Sequence, residues 1–166
     1  EAGIVLGVCC SIVAQLWRGS RPHVAVVGRV PDTHYFRNTK RHLVEIEPHL
    51  LALRIDENIF FANTKAVEQA IYQALGDYPD TREVLLILSA VNHIDSTGLD
   101  MLSELTEGLK ERDIGLHLAE VKGPVMDQLQ HTDWIGKLVG QVFPSTDIAF
   151  NTLGKVASRA SAHSGE

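Results

Sequence analysis

Apolar residues fall along this chain in three rhythms, each of which calls for a different kind of element. From Ala2 to Trp17 there is no charged side chain, and Ile4, Val5, Leu6, Val8, Ile12, Val13 and Leu16 are interrupted only by small or uncharged residues. That pattern predicts a helix facing lipid or deeply buried. It is shorter than the roughly 20 residues that cross a bilayer, so the expectation is the C-terminal end of a last transmembrane helix, residues 1–21, that begins upstream of Glu1. Trp17 followed by Arg18 and Arg21 is the order of an interfacial aromatic and then positive charge that marks an exit on the cytoplasmic side. A buried N-terminal helix and a signal-peptide core are the alternatives, although a secretory signal would have a basic start and a small-residue cleavage site.

Arg21-Pro22 breaks that helix, because proline lacks an amide donor and disfavours helical backbone at the residue before it. Residues 22–48 read as a linker with one short strand, Val24 to Val27, ending at Gly28. From Pro48 the rhythm changes. Leu50 to Ile55 and Ile59 to Phe61 are β-compatible runs separated by three polar residues, which predicts a hairpin or one bent strand. Ala66, Val67, Ala70, Ile71, Ala74 and Leu75 then recur at helical spacing, with Asn63 or Thr64 as the cap and Gly76 as the stop.

Val84 to Leu88 is continuously apolar, the mark of a central strand covered on both faces. After Asn92-His93-Ile94-Asp95 a second amphipathic helix runs from about Ser96 to Arg112, with Leu99, Leu102, Leu105 and Leu109 inward. Gly115 releases the chain into a strand at Leu116 to Ala119. Gly123-Pro124 opens a short helix, proline being well placed in a first turn. Val142-Phe143 reads as a weak last strand and Thr146 to Ala160 as a final helix, with Ile148, Ala149, Leu153 and Val156 apolar. The order predicts an α/β fold in residues 49–160, a mixed central sheet of about four to six strands with about four helices packed on it and right-handed crossovers. A frayed tail is expected from Ser158, disordered over 161–166.

Composition narrows the function. The chain has 166 residues, 45% of them hydrophobic, and a formal net charge of −6. One domain with a core fits that size, and the acidic balance without a basic run argues against nucleic acid as a partner. Cys9 and Cys10 are adjacent, and the eight histidines are scattered without ligand spacing, so neither a disulfide framework nor a metal site is expected. No Gly-x-Ser-x-Gly, Walker or dinucleotide fingerprint occurs. No catalytic residue and no cofactor is therefore assigned.

In an open α/β sheet, function concentrates where strands end and helices begin. The turn Asp95, Ser96, Thr97 and Gly98 follows the most buried strand and opens a long helix, so a hydroxyl there lies beside free backbone amides and the positive helix end. A phosphate on Ser96 would sit in that field, opposed by Asp95, and would obstruct a protein docked on the turn. Asp, Ser and Thr are equally the commonest helix caps. Asn92, His93, Gly123 and Pro124 are candidate contacts for a nucleotide such as GTP, GDP or ATP, or for a partner, since helix N-termini receive phosphate. His93 and His117 are expected to follow or lie in strands and could approach one another.

Asp95-Ser96-Thr97-Gly98-Leu99 after a buried strand resembles the signature of STAS domains, which occur in sulfate transporters and anti-sigma factor antagonists. In the antagonist branch the serine of that motif is phosphorylated, which the resemblance carries over to Ser96. Gly19-Ser20-Arg21-Pro22, Val27-Gly28-Arg29-Val30-Pro31, Leu53-Arg54-Ile55-Asp56, Phe60-Phe61-Ala62-Asn63 and Val121-Lys122-Gly123-Pro124-Val125 are similar to blocks of bacterial SulP permeases. The resemblance covers about Gly3 to Ala149. It implies a regulatory, non-catalytic domain on the cytoplasmic side of a bacterial inner membrane, tied to the transmembrane part of a sulfate or related anion transporter. Its implied partners are that membrane part, a second copy in a homodimer, and a cytoplasmic regulatory protein or kinase. A stand-alone antagonist is the rival within the fold.

Overall fold

The computed structural model describes residues 2–40 and 44–163, with side chains through Gly154. Its first helix, α1 (Ala2–Gly19), carries no buried residue. It is long and apolar enough to cross a membrane, with a length of about 27 Å at 1.5 Å per residue. The uncharged run therefore forms the expected helix, and it meets the body at its C-terminal end, where Gly19 lies against Phe60 and Asn63.

The body is a six-stranded mixed sheet in the order β2-β1-β3-β4-β5-β6. Its strands are β1 (Val24–Arg29), β2 (Phe36–Asn38), β3 (Leu50–Ile55), β4 (Glu83–Ile87), β5 (Gly115–Ala119) and β6 (Val142–Phe143). β3, β4, β5 and β6 run parallel, with Leu53 opposite Leu86 and Leu86 opposite Leu118. Such strands need crossovers, and these are α2 (Thr64–Asp77), α3 (Ser96–Lys110), and the pair α4 (Gly123–Gln130) and α5 (Trp134–Lys137). α6 (Thr146–His163) is the last described element. Residues 164–166 of the expected tail lie outside the described residues.

Alternation along the strands divides the interior into two layers. Leu51, Leu53, Val84, Leu86, Leu116 and Leu118 meet Val67, Ile71, Leu102, Leu105 and Leu109 from α2 and α3. Leu50, Ala52, Leu85, Ile87 and Ala119 face the other way, onto Ala149, Phe150 and Leu153 of α6. β4 lies between both layers, as its unbroken apolar sequence requires. Arg29 fastens α6 to the first hairpin: its guanidinium donates to Asp147 Oδ1 at 2.9 Å and lies over the rings of Phe36 and Phe150.

Several local expectations are corrected. Ile59 to Phe61 does not form a hairpin with β3; the antiparallel partner of β3 is β1, with Val24 opposite Ile55. The segment 22–48, read as a linker with one short strand, contributes both β1 and β2 to the sheet. The physical reason is that an α/β sheet leaves the open edge of its first parallel strand unpaired, and the nearest upstream β-prone run satisfies it. Gly76 does not stop α2, which runs to Asp77 and is capped at Tyr78. Asp113, at φ 54°, makes the left-handed turn after α3. Gly115 opens β5, as expected, and a Cβ there would collide with the Glu83 carboxylate. Leu99 is only half-buried, and Ile148 is exposed.

The two-layer packing fixes the cost of core truncation. Leu86→Ala, at a fully buried position in the central strand, is expected to lower the unfolding free energy by about 2–5 kcal/mol. Ile148→Ala on the exposed face of α6 should stay within about 0.5 kcal/mol. Urea denaturation followed by circular dichroism distinguishes the two.

Candidate functional site

The chain leaves β4 at Leu88, crosses buried Val91, and turns through exposed Asn92 and His93 to buried Ile94. Asp95 then adopts extended backbone (φ −83°, ψ 177°) and caps α3, its Oδ1 accepting from the Gly98 amide at 2.8 Å. This is the cap that the residue type predicted. Its other oxygen has a second duty: Oδ2 accepts from the Phe61 amide at 2.9 Å. Ser96 and Thr97, the first two residues of α3, are exposed. Gly98 is buried and helical, and its lack of a side chain serves packing, because a Cβ there would come within 2.7 Å of Ile94 and 3.0 Å of Ile59.

The turn is held from two sides. On one, the Asn58 side chain accepts from the amides of Asn92 (2.8 Å) and His93 (3.1 Å), and Ile59 forms a parallel bridge with Ile94. On the other, Gln128 of α4 accepts from the Ile94 amide and meets His93 Nδ1 at 3.2 Å, while Lys122 donates to Asn92 Oδ1 at 2.6 Å. Between the turn and α4 lies an open cleft of about 560 Å³ lined by His93, Asp95, Ser96, Leu99, Asp127, Gln128 and His131 among others. The structure thus brings Asn92, His93, Asp95 and Ser96 together beside α4. Gly123 and Pro124 form the exposed start of that helix and are absent from the cleft lining.

His117 does not approach His93. It is buried in β5, where its Nε2 lies 2.7 Å from Glu83 Oε2 at the beginning of β4 and its Nδ1 accepts from the Gln141 amide at 3.0 Å. His93 lies beyond the opposite end of β4. An amide donor on Nδ1 puts the proton on Nε2, facing the carboxylate, so His117 is a packing residue that ties β5 to the loop before β6. No group of three metal-ligating side chains occurs among the described residues.

Sequence reasoning missed the loop Asn58–Asn63. Of the two expected caps, Asn63 and Thr64, it is Asn63 that holds the N-cap position of α2, but its side chain makes no cap hydrogen bond. It is fully buried, accepts from the Phe60 amide, and donates to the carbonyls of Asn58 (2.8 Å) and Gly19 (3.2 Å). An unpaired buried amide is costly, which is the signal that could have marked this residue: an asparagine inside an otherwise apolar turn. Nearby, Asp56 receives Arg54 and stands 2.7 Å from His23 Nδ1. Burial pushes the Asp56 carboxyl up, yet the hydrogen bonds and charge of Arg54 and His23 outweigh it and hold the group below its ordinary value.

With the geometry in place, comparison with known proteins decides the family. The family model described as STAS domain matches residues 42–149. The chain belongs to the STAS domain family. The matched residues of this STAS domain begin after β1 and β2, so its sheet extends beyond the family match. High affinity sulfate transporter 2 of Stylosanthes hamata is 29% identical over 93% of the chain, and sulfate transporter 4.1, chloroplastic, of Arabidopsis thaliana is 32% identical over 72%. The chain spans about a quarter of the length of the first of these and 19% of the second.

Among solved structures, the STAS domain is similar to murine Solute Carrier 26 family member A9, an anion transporter in the inward-facing state. The TM-score is 0.81 at 20% identity, covering 93% of this chain and 26% of that one. It is also similar to the SulP transporter STAS domain from Vibrio cholerae, with a TM-score of 0.54 at 23% identity over 75% of this chain and 93% of that one. Both are likenesses of fold.

The site's bonds set two expectations. Asp95→Ala removes the cap and should cost about 0.5–2 kcal/mol, whereas Ser96→Ala, at an exposed position, should stay within about 0.5 kcal/mol; chemical denaturation measures both. Because Asp56 is held low, its contribution is complete above the unfolded carboxylate value near about 4 and is lost as pH falls through the lower folded value. Asp56→Asn should flatten that acid limb in a pH series of thermal melts.

Proposed function

We propose that the chain is the C-terminal cytoplasmic portion of a SulP-type anion transporter, comprising the end of the last transmembrane helix and a regulatory STAS domain that is not catalytic. The observation that carries this reading is α1: an 18-residue helix without a buried residue, uncharged from Ala2 to Trp17 and basic only at Arg18 in its last turn, projecting from a STAS body. Such a surface is unstable in water and natural in a bilayer. The likeness to an anion transporter over 93% of the chain supports it, as do the sulfate transporters among the relatives.

Trp17, with the Arg21 guanidinium 5.6 Å from its ring centroid, sits two residues before the end of α1. An aromatic and a cation at a helix exit favour the cytoplasmic side, here of a bacterial inner membrane. The transported anion, sulfate or a relative of it, is handled by the membrane part.

In this reading the Asp95, Ser96, Thr97 and Gly98 turn is the regulatory contact. The exposed Ser96 hydroxyl is its phosphorylation site, and Asn92 and His93 with the start of α4 at Gly123 and Pro124 receive a partner. A stand-alone antagonist accounts for less of the chain: the solved anti-sigma factor antagonists match 65–75% of it. The test is sulfate uptake by the full-length gene product in cells lacking other sulfate uptake. Removing everything after Pro22 is expected to abolish uptake or membrane expression, and Ser96→Asp to lower the initial rate at unchanged expression. Full uptake by the truncated protein overturns the proposal.

A further inference from the structure

We propose that the Asn58–Asn63 loop is a coupling joint through which the state of the Asp95–Ser96 turn sets the angle at which α1 leaves the body. The inference rests on the reading of α1 as a membrane helix and adds a route by which an event at the turn reaches it.

The helix end is gripped by this loop. Gly19, the last residue of α1, lies against the Phe60 ring so closely that a Cβ would come within 2.8 Å of Cζ. Its carbonyl accepts from Asn63 Nδ2. A terminal carbonyl of a helix has no partner within the helix, and here the body supplies one through a fully buried side chain. The same asparagine ties itself to Phe60 and Asn58, so Gly19, Phe60 and Asn58 share a single side chain.

The opposite side of the loop is bonded to the turn, residue by residue. Asn58 accepts from Asn92 and His93. The Ile59 amide donates to the His93 carbonyl at 3.2 Å, and the Asp95 amide donates to the Ile59 carbonyl at 3.1 Å. Phe61 donates to Asp95 Oδ2. The residue is 64% exposed and its ring makes an edge contact with adjacent Phe60, so the Asp95 carboxylate is what ties Phe61 to the turn.

The two-state element is therefore the Phe61 amide, bonded either to Asp95 or to water. One carboxylate serves two amides, Gly98 and Phe61, with one oxygen each. A phosphate on Ser96 repels the Asp95 carboxylate and competes with it for the amides, and a partner's cation drawn to Asp95 competes with the amides for the carboxylate. Either releases Phe61, loosens adjacent Phe60 from Gly19, and widens the range of α1 angles. A path of contacts becomes coupling only when both ends bias one element, and Asp95 and Asn63 are the two residues to vary.

The experiment uses the full chain in bilayer nanodiscs of phosphatidylethanolamine and phosphatidylglycerol. With Cys10→Ser, one spin label is placed on native Cys9, exposed on α1, and a second on exposed Glu104→Cys of α3. Pulsed dipolar spectroscopy reads the distance distribution between them. The parent is expected to give one narrow distribution. Asp95→Asn leaves one oxygen for two amides and should broaden it; Asn63→Ala should broaden it equally, and the double variant no further, as for residues on one route. Near-ultraviolet circular dichroism of buried Trp134 confirms that each variant is folded, and Ser96→Asp replaces any that is not.

A distribution in folded Asp95→Asn that superimposes on the parent overturns the inference, as does broadening in Asn63→Ala alone. The reading beneath it fails separately. A Cys9 label in the parent that is relaxed by a water-soluble nickel complex rather than by oxygen places α1 outside the bilayer, whatever the distances show.

Discussion

Everything in the body depends on one constraint: β4 is apolar on both faces and must be covered on both. Val84, Leu85, Leu86 and Leu88 are fully buried, and a strand with that sequence has no stable place at a sheet edge or against water. Cover on one face comes from α2 and α3 and on the other from α6. Parallel partners on both sides follow, because each crossover helix returns the chain to the same end of the sheet. The ends of the strands are the part of the central sheet most open to polar residues, and beyond the end of β4 the chain places Asn92, His93, Asp95 and Ser96.

The second organising feature is a division of labour between two carboxylates at that end of the molecule. Asp95 joins the α3 cap to the Phe61 backbone. Asp56 receives Arg54 and His23 and so ties the end of β3 to the residue just after the helix-breaking proline. Both pin the region where α1 departs, and neither sits deep enough to pay a full desolvation penalty. A helix with no buried residue is thus attached to the body through polar bonds and one ring contact. That attachment allows angular change, whereas an apolar interface would favour a single arrangement.

Much of the candidate site was legible in the residues themselves. Asp95 as a cap, a hydroxyl pair opening α3 and a proline starting α4 all follow from local backbone chemistry, which needs no distant partner. Asn63 was legible only as a cap. Its contacts to Gly19 and Asn58 bring together segments 44 and 5 residues away, and a residue's type does not say which distant carbonyl it will meet. The same holds for Gln128, whose amide reaches the turn from α4, and for Gly98, where the need for glycine comes from Ile59 and Ile94 across the turn.

By itself the sequence determined the elements whose cause is local: the apolar first helix, the alternating and continuous apolar strands, the helix stripes and the caps. Those depend on periodicities of about 3.6 and 2 residues and on the conformational limits of single residues. Only the tertiary structure decided that β1 rather than Ile59–Phe61 pairs with β3 and that His117 belongs to Glu83. It also decided that one buried asparagine joins the apolar helix to the body. The physical reason is that pairing across the sheet and hydrogen bonding across loops are settled by competition among all available partners once the two core layers close, and that competition is a property of the assembled fold.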